Sequence, residues 1–297
     1  MNVRLHPSGA SPLREHELVE RDGLLYAAAG DEVSPYRRRW EDEAAEDHVR
    51  SAIAGGTTAS LDYATLTAKV APLWDRFPRG SELGTVLEVG AGYGRIPLYL
   101  ARGRDVTWSA YCAVDISETM LRRFVEYQEE FGSNPNSSLY PICVSADELP
   151  LEDDCVDVAL SSAVFLHMGK SFVAHAVAEI ARTLKPGGHF VFDGAFPNAR
   201  NPPNLLPRLK PQRRRPPNFM KYWTRAEVVS LLVESGLAAK AGRFTVEASS
   251  YALLPKRVGP LHVPLARRVN ARLGAAPRRL DGILATSYSA YSPGLLE

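Results

Sequence analysis

The chain has 297 residues, of which 45% are hydrophobic and 23% are charged, and its formal net charge is +1 at pH 7. This composition excludes a collagen-like or intrinsically disordered chain, and no segment reaches the roughly 18 uncharged apolar residues of a membrane span. Three cysteines without a CxxC pair argue against a disulfide framework or a cysteine-based zinc site, and the first residues lack the apolar core of a signal peptide, so we expect a cytoplasmic protein.

Residues 1–78 are predicted to form an N-terminal helical cap. Helix-like patches occur over residues 11–25, a charged helix is expected near residues 36–45, and apolar residues recur at helical spacing from 61 to 73. This section has too few large apolar side chains to build a core of its own, so we expect it to pack on the rest of the chain.

From residue 85 onward, predicted strands alternate with predicted helices. The strands are expected at 85–89, 111–114, 140–143, 156–160, 189–192, 244–246 and 283–291. The helices are expected at 96–101, from a Ser117 cap to about 131, after the fourth strand up to a stop at 185–188, from a Thr224 cap to 236, and at 265–273. This alternation predicts a parallel sheet between two layers of helices.

A glycine loop follows the first predicted strand and opens a helix, with the sequence Glu88-Val89-Gly90-Ala91-Gly92-Tyr93-Gly94. Glycines at such a position let the backbone approach a ligand without a Cβ in the way. A dinucleotide fingerprint would need glycine where the chain has Arg95, and no Gly-Lys-Ser/Thr follows as in a P-loop. The loop therefore predicts a ligand site that is neither of these two kinds.

Acidic residues end or follow the next two predicted strands. Asp115 ends the second strand, where a carboxylate can accept two hydrogen bonds from a ribose diol, and Asp147 follows the third, where it can accept from an adenine amino group. Each acid alone is more typical of a turn or a helix cap. Together with the glycine loop, they indicate a nucleoside site at the carboxyl edge of the sheet.

In combination, these segments resemble the motifs of the class I S-adenosylmethionine-dependent methyltransferases. The glycine loop is similar to the first motif of that family, and the others follow in the family's order at 114–121, 146–150, 165–168 and 184–188. The resemblance covers roughly residues 63–236. It implies an α/β fold with a Rossmann-like seven-stranded sheet of order 3-2-1-4-5-7-6 and an antiparallel last strand, in a domain over residues 79–297. It also implies S-adenosyl-L-methionine as the cofactor and S-adenosyl-L-homocysteine as the product.

The resemblance implies a role at each matching position. Asp115 would hold the ribose hydroxyls, Asp147 would accept from the adenine amino group, and Ser162 would offer its carbonyl to the methionine ammonium. Arg95 either pairs with the methionine carboxylate or is solvated at a helix start, and Tyr63 either closes over the cofactor or packs in the core. The implied cofactor-binding residues are Tyr63, Glu88, Gly90, Ala91, Gly92, Arg95, Asp115, Ile116, Ala146, Asp147 and Ser162.

His167 is the candidate catalytic residue. A hydroxyl acceptor must lose a proton, and an imidazole just past the fourth strand, with an ordinary pKa of about 6.5, suits that task. The alternative is a histidine that only packs at the strand end. No metal is expected, because Asp153, Asp154 and Asp157 stand at the start of the fourth strand, at the opposite edge of the sheet.

Residues 198–223 are rich in proline and in basic residues, and we predict that they form a lid or a substrate wall. Seventeen Lys/Arg and three acidic residues lie between positions 200 and 280, whereas the rest of the chain carries eighteen basic and thirty-one acidic residues. This asymmetry favours either an anionic acceptor or attraction between two parts of one fold. Phe219, Tyr222 and Trp223 either line the acceptor pocket or anchor the loop. Residues 249–280 are expected to be an insertion before the last strand.

Three functions are compatible with these features. The first is methyl transfer to oxygen or nitrogen of a small molecule of the specialised-metabolite kind, including anionic or carrier-bound acceptors. The second is methylation of RNA, which the basic region favours but no RNA-binding signature supports; no DNA partner is expected. Asn201-Pro202-Pro203-Asn204 resembles a motif of nucleic-acid amino-methylating enzymes, but it follows the fifth strand instead of the fourth. The third is a cofactor-binding protein that transfers no methyl group.

Overall fold

The computed structural model describes residues 11–27, 63–67, 70, 72–132, 134, 137–208, 221–252, 257–258, 261–262, 264–273 and 281–296. Within these ranges, no helix combines the length and the apolar character needed to cross a membrane. The charged helix predicted near residues 36–45 and the candidate residue Phe219 lie outside the described residues.

A nine-stranded sheet forms the centre of the fold, in the order β1-β2-β5-β4-β3-β6-β7-β11-β8. Its strands are β1 (Leu18–Arg21), β2 (Leu24–Ala27), β3 (Thr85–Val89), β4 (Ala110–Asp115), β5 (Ser138–Cys143), β6 (Val156–Ser162), β7 (Leu184–Pro197), β8 (Thr245–Tyr251) and β11 (Ala285–Tyr291). Strands β2 to β7 pair in parallel, and β11 runs antiparallel to both β7 and β8. The predicted order 3-2-1-4-5-7-6 with an antiparallel last strand is therefore confirmed over seven of the nine strands.

The two additional strands are a hairpin near the start of the chain, and the helix-like prediction for residues 11–25 is wrong. Asp22 and Gly23 both have positive φ, 50° and 78°, and they form the two-residue turn between β1 and β2. An Asp-Gly pair favours this kind of hairpin turn and outweighs the helical spacing around it. The hairpin then extends the sheet, because Leu25 and Tyr26 pair in parallel with Ile142 and Cys143 of β5.

Six of the described helices lie where the sequence predicts a helix, and three, Pro202–Arg208, Leu237–Ala241 and Asp281–Leu284, were not predicted. The described helices are α1 (Tyr63–Thr67), α2 (Arg95–Leu98), α3 (Glu118–Phe131), α4 (Lys170–Thr183), α5 (Pro202–Arg208), α6 (Arg225–Glu234), α7 (Leu237–Ala241), α8 (Pro264–Leu273) and α9 (Asp281–Leu284). Both predicted caps are confirmed: the Ser117 hydroxyl accepts from the Met120 N–H, and Thr224 forms a capping box with Glu227.

Two predicted boundaries need correction. The helix after the fourth strand ends at Thr183, so Leu184 and the glycines that follow begin β7 instead of capping the helix. Strand β8 continues to Tyr251, so the insertion begins after that residue and not at 249, and its described part holds a short hairpin of β9 (Arg257–Val258) and β10 (Leu261–His262) followed by α8. The division at residue 78 stays a prediction.

The sheet is covered on both faces. Alternate residues of β4 contribute to different apolar clusters: Tyr111 and Ala113 belong to one, and Cys112 and Val114 belong to the other. Because successive side chains of a strand point to opposite faces, the two clusters lie on opposite sides of the sheet. Burial on both faces leaves the carboxyl edge of the parallel strands as the place for a ligand.

Candidate functional site

A cavity of about 300 Å³ lies at the carboxyl edge of β3, β4, β5 and β6. Its size is at the lower end of the range for small-molecule sites. The cavity is lined by Glu88, Val89, Gly90, Ala91, Gly92, Tyr93, Arg95, Val114, Asp115, Ile116, Met120, Val144, Ser145, Ala146, Ser162, Ala163, Val164, His167, Met168 and Phe172. The structure thus brings together most of the residues that the sequence singled out.

The first two glycines of the loop have different structural roles. Gly90 has φ +73°, and a Cβ there would stand 2.1 Å from Val164 Cγ2, so this glycine is required by packing within the protein. Gly92 has φ +55°, but a Cβ there would meet nothing within 4 Å. Since Gly92 also lines the cavity, it leaves open space where the backbone can approach a ligand.

Asp115 holds the glycine loop in place. One carboxylate oxygen accepts from the Gly92 N–H at 2.8 Å, and the other accepts from the Ser117 N–H at 2.9 Å. Asp115 also lines the cavity, so its carboxylate belongs to the wall that a ligand would meet. Its expected role toward a ribose diol stays a prediction that this geometry permits.

Glu88 is a buried carboxyl group in the cavity wall, with 1% of its surface exposed. Burial raises its pKa from 4.5 to about 8, with a smaller contribution from the nearby Asp115, while the hydrogen bond from the Tyr111 hydroxyl at 2.6 Å and the charge of Arg95 act in the opposite direction. With this pKa, the Glu88 carboxyl group is mostly protonated at neutral pH. A cation that entered the cavity would lower the pKa of Glu88 and favour its ionised form.

Arg95 reaches from the start of α2 to the end of β6. Its Nη2 donates to the Ser162 hydroxyl oxygen at 3.0 Å, so the two residues predicted to meet the amino-acid end of the cofactor are in direct contact. Both line the cavity. Asp193 on β7 also bonds the Ser162 hydroxyl and was missed by sequence reasoning. The sequence signal that could have identified Asp193 is an acidic residue in an otherwise apolar, buried strand.

Two predicted cofactor residues are absent from the cavity wall that the described residues form. The Tyr63 ring is partly buried against an apolar cluster, with the Arg102 guanidinium 4.7 Å from the ring centroid, and it stands outside the cavity wall. Asp147 is hydrogen-bonded to the Ser145 hydroxyl. Its neighbours Ser145 and Ala146 line the cavity in its place.

His167 lines the cavity at the end of a 3-10 turn, Phe165–His167, that is separated from the end of β6 by two residues. Its backbone N–H donates to the Val164 carbonyl at 3.1 Å, which fixes the turn. Met168 and Phe172 continue the same wall into α4. The imidazole is thus placed where an acceptor could lie, and its role as a base stays a prediction.

Trp223 anchors the end of the predicted lid. Its indole is 4% exposed, lies 5.5 Å from the Phe196 ring between centroids, and carries the Lys170 ammonium 4.8 Å from its own centroid. Its backbone N–H donates to the Pro197 carbonyl, and its carbonyl accepts from the Ala199 N–H. The two ends of the segment 198–223 therefore lie side by side. Neither Trp223 nor the partly buried Tyr222 contributes to the cavity wall within the part of the chain that the structure describes.

Asparagines fix the other end of this segment, and they explain the Asn-Pro-Pro-Asn sequence in structural terms. Asn201 is fully buried, and its side-chain nitrogen lies 2.6, 3.2 and 3.1 Å from the carbonyl oxygens of Ala252, Ile283 and Leu284. Asn198 and Asn204 make similar bonds to residues between 282 and 286. The segment is therefore bound to both ends of the insertion before β11.

Comparison with known proteins finds similarity to methyltransferases. Residues 87–192 match the family model described as a methyltransferase domain. Dimethylglycine N-methyltransferase of Parasynechococcus marenigrum (strain WH8102) is 31% identical over 193 residues, which cover 60% of this chain and 63% of the relative. Phosphoethanolamine N-methyltransferase 1 of Triticum aestivum is 30% identical over 115 residues, which cover 38% of this chain and 22% of the relative. The chain thus spans less than two thirds of the length of these relatives.

Solved structures share the fold. Geranyl diphosphate C-methyltransferase from Streptomyces coelicolor A3(2) superposes with a TM-score of 0.53 at 13% identity, covering 88% of this chain and 98% of that one. A chain from the complex between the Haloferax volcanii Trm112 methyltransferase activator and a methyltransferase gives a TM-score of 0.52 at 21% identity, covering 85% and 95%. At these identities the likeness concerns the fold alone.

Proposed function

Because this chain belongs to the class I S-adenosylmethionine-dependent methyltransferases, we propose that it transfers the methyl group of this cofactor to a nitrogen atom of a small-molecule acceptor. The observation that carries the proposal is the cavity whose wall combines the glycine loop, Asp115 and the end of β6. The residues present fit the cofactor, since Gly92 leaves open space and Asp115 places a carboxylate in the same wall, the group type that accepts hydrogen bonds from a diol.

The cavity offers groups for each part of the cofactor. Asp115 would accept from the ribose hydroxyls, and Ile116 and Ala146 would contact the adenine, with the Ala146 N–H as a donor. Arg95 and Ser162 would meet the carboxylate and the ammonium of the methionine part. Asp147 would reach the adenine amino group only by a side-chain movement, since it is bonded to Ser145 and stands outside the wall.

The cofactor supplies a methyl group activated on a sulfonium, and the protein supplies orientation and a dry site. Met168 and Phe172 provide apolar surface that excludes water beside the candidate acceptor position. His167 Nε2 or Nδ1 would accept a proton from an acceptor that carries one, whereas a tertiary amine acceptor needs no base.

Nitrogen is favoured over oxygen by the names of the relatives. They include a dimethylglycine N-methyltransferase, two phosphoethanolamine N-methyltransferases and a glycine/sarcosine/dimethylglycine N-methyltransferase from Actinopolyspora halophila. We propose that the acceptor of this chain is likewise a small amine, with an anionic group that the basic region between residues 200 and 280 would attract.

The test is methyl transfer from radiolabelled S-adenosylmethionine to a panel of acceptors, with dimethylglycine, glycine and phosphoethanolamine as amines, a phenol as the oxygen acceptor, and RNA. Label on an amine supports the proposal. Label on the phenol or on RNA, the latter falling steeply with salt, contradicts it in favour of the other acceptor. Binding of the cofactor with no labelled product from any acceptor favours the non-methylating alternative.

A further inference from the structure

Asp193 is a buried acid on β7 that stands behind the wall of the cavity. It is 6% exposed and lies opposite Ser162 in the parallel register of β6 and β7. Its carboxylate accepts from the Ser289 hydroxyl at 3.1 Å and from the Trp74 indole N–H at 3.3 Å, and it also bonds the Ser162 hydroxyl. Of these residues, Ser162 is the one that lines the cavity.

The direction of the bonds around Ser162 follows from its chemistry. The hydroxyl has a single proton, and it accepts from Arg95 Nη2, which can only donate. Its own proton is then available to the Asp193 carboxylate on the neighbouring strand, and this interaction lowers the Asp193 pKa. The chain Arg95–Ser162–Asp193 is thus polarised in one sense. An amide at position 193 would hold the hydroxyl less strongly, because it carries no charge and can turn its NH2 group toward Ser162.

Asp193 also holds the main chain at the end of β6. Its carbonyl oxygen accepts from the Ala163 N–H at 2.9 Å. Ala163 lines the cavity and has φ +58°, a left-handed conformation that costs a non-glycine residue free energy and persists only where neighbours hold it. Side-chain and main-chain atoms of one residue therefore fix both Ser162 and Ala163.

The charges around this residue support an acceptor role. Burial raises the pKa of Asp193, while the bonds from Ser289, Trp74 and Ser162 and the charge of Arg95 lower it. The charge of Arg95 lowers the pKa of Glu88 as well, so its guanidinium interacts electrostatically with carboxyl groups of both β3 and β7.

We propose that Asp193 is a positioning residue that orients the Ser162 hydroxyl and the Arg95 guanidinium toward the amino-acid end of the cofactor. The inference rests on the proposed function, because it requires the cofactor in this cavity. It predicts a selective effect: loss of Asp193 weakens the binding of ligands that carry the amino-acid end and spares those that lack it.

The experiment is calorimetric titration of S-adenosylhomocysteine and of 5′-methylthioadenosine, which lacks the amino-acid end, into the wild-type chain and Asp193→Asn. We expect the affinity for S-adenosylhomocysteine to fall about tenfold and the affinity for methylthioadenosine to change less than twofold. Ser289→Ala is the matched control, since it removes another hydroxyl from the same carboxylate on the side away from Ser162, and both affinities should then stay within twofold.

Equal weakening of the two ligands in Asp193→Asn would show a role in folding alone and overturn the proposal, as would unchanged affinity for S-adenosylhomocysteine. If Asp193→Asn does not fold, Ser162→Ala must show the same selective loss, and an unchanged ratio of the two affinities in that variant also overturns the proposal. A wild-type chain that binds neither ligand would refute the proposed function itself, and this inference with it.

Discussion

The glycine-loop region, residues 85–115, and the C-terminal region, residues 198–291, are held together by different means. In the first, the conformation is set within one short loop, in which Gly90, Gly92 and Gly94 all have positive φ. In the second, buried asparagine side chains bond backbone carbonyls that are 51 to 87 residues away in sequence. A short sequence motif can predict the first arrangement. The second depends on contacts between positions far apart in sequence, which no short motif can predict.

The largest expected effect is the loss of stability when a side chain is added at Gly90. Gly90→Ala should lower the free energy of unfolding by about 3 kcal/mol or more, because left-handed strain of ~1–2 kcal/mol adds to the overpacking of Val164. Chemical denaturation measures this. Gly92→Ala is the matched control: it carries the strain without the clash, so it should cost about 1–2 kcal/mol, and equal costs for the two variants would contradict the packing argument.

In the C-terminal region, Asn201→Ala should cost about 2 kcal/mol, because the three carbonyls near its amide lose a buried donor. Hydrogen exchange should show faster opening around residues 283–285 and little change at β3. Asn204→Ala, at a less buried position, should cost less. If hydrogen exchange becomes faster across the whole sheet by the same factor, the glycine-loop region and the C-terminal region are not stabilised independently.

The Glu88 carboxyl group should make stability depend on pH. Its raised pKa means that the folded protein keeps a proton that the unfolded chain has lost, so its contribution to stability is lost as pH rises from about 4.5 to 8. Glu88→Gln should flatten this fall and exceed the wild type in stability above pH 8. The exposed Glu82→Gln controls for the change of charge. A wild-type profile that rises over this interval would contradict the assignment.

The smallest expected effect concerns the basic segment. Arg213, Arg214 and Arg215 lie outside the described residues, so this prediction comes from the sequence alone. Changing all three to Gln should raise the acceptor KM roughly two- to fivefold at low salt, and the difference should shrink as salt rises, since exposed charges are screened over ~8–10 Å. Cofactor affinity should stay unchanged. If the triple variant matches the wild type at low salt, attraction to the acidic part of the chain becomes the explanation to test.

The sequence predicted the parts of the fold that have local causes. The Ser117 and Thr224 caps and the cavity position of Asp115 follow from strand ends, caps and glycines, whereas the seven-strand order was implied by the family resemblance. The β1–β2 hairpin could not be predicted from spacing, because residues 11–25 show helical spacing and the turn depends on a single Asp-Gly pair. Asp193 and the position of Trp223 could not be predicted, because each is defined by partners on elements distant in sequence.

Calorimetric titration of S-adenosylhomocysteine tests whether the cavity binds S-adenosylmethionine through Asp115. We predict one site in the wild type and a loss of about 2–3 kcal/mol in Asp115→Ala, roughly 30- to 150-fold in affinity, because bonds to a charged acceptor are removed. Asp115→Asn, which keeps one acceptor oxygen for the Gly92 N–H, should fall between the two. Unchanged affinity in Asp115→Ala, in a variant that remains folded, would contradict the account.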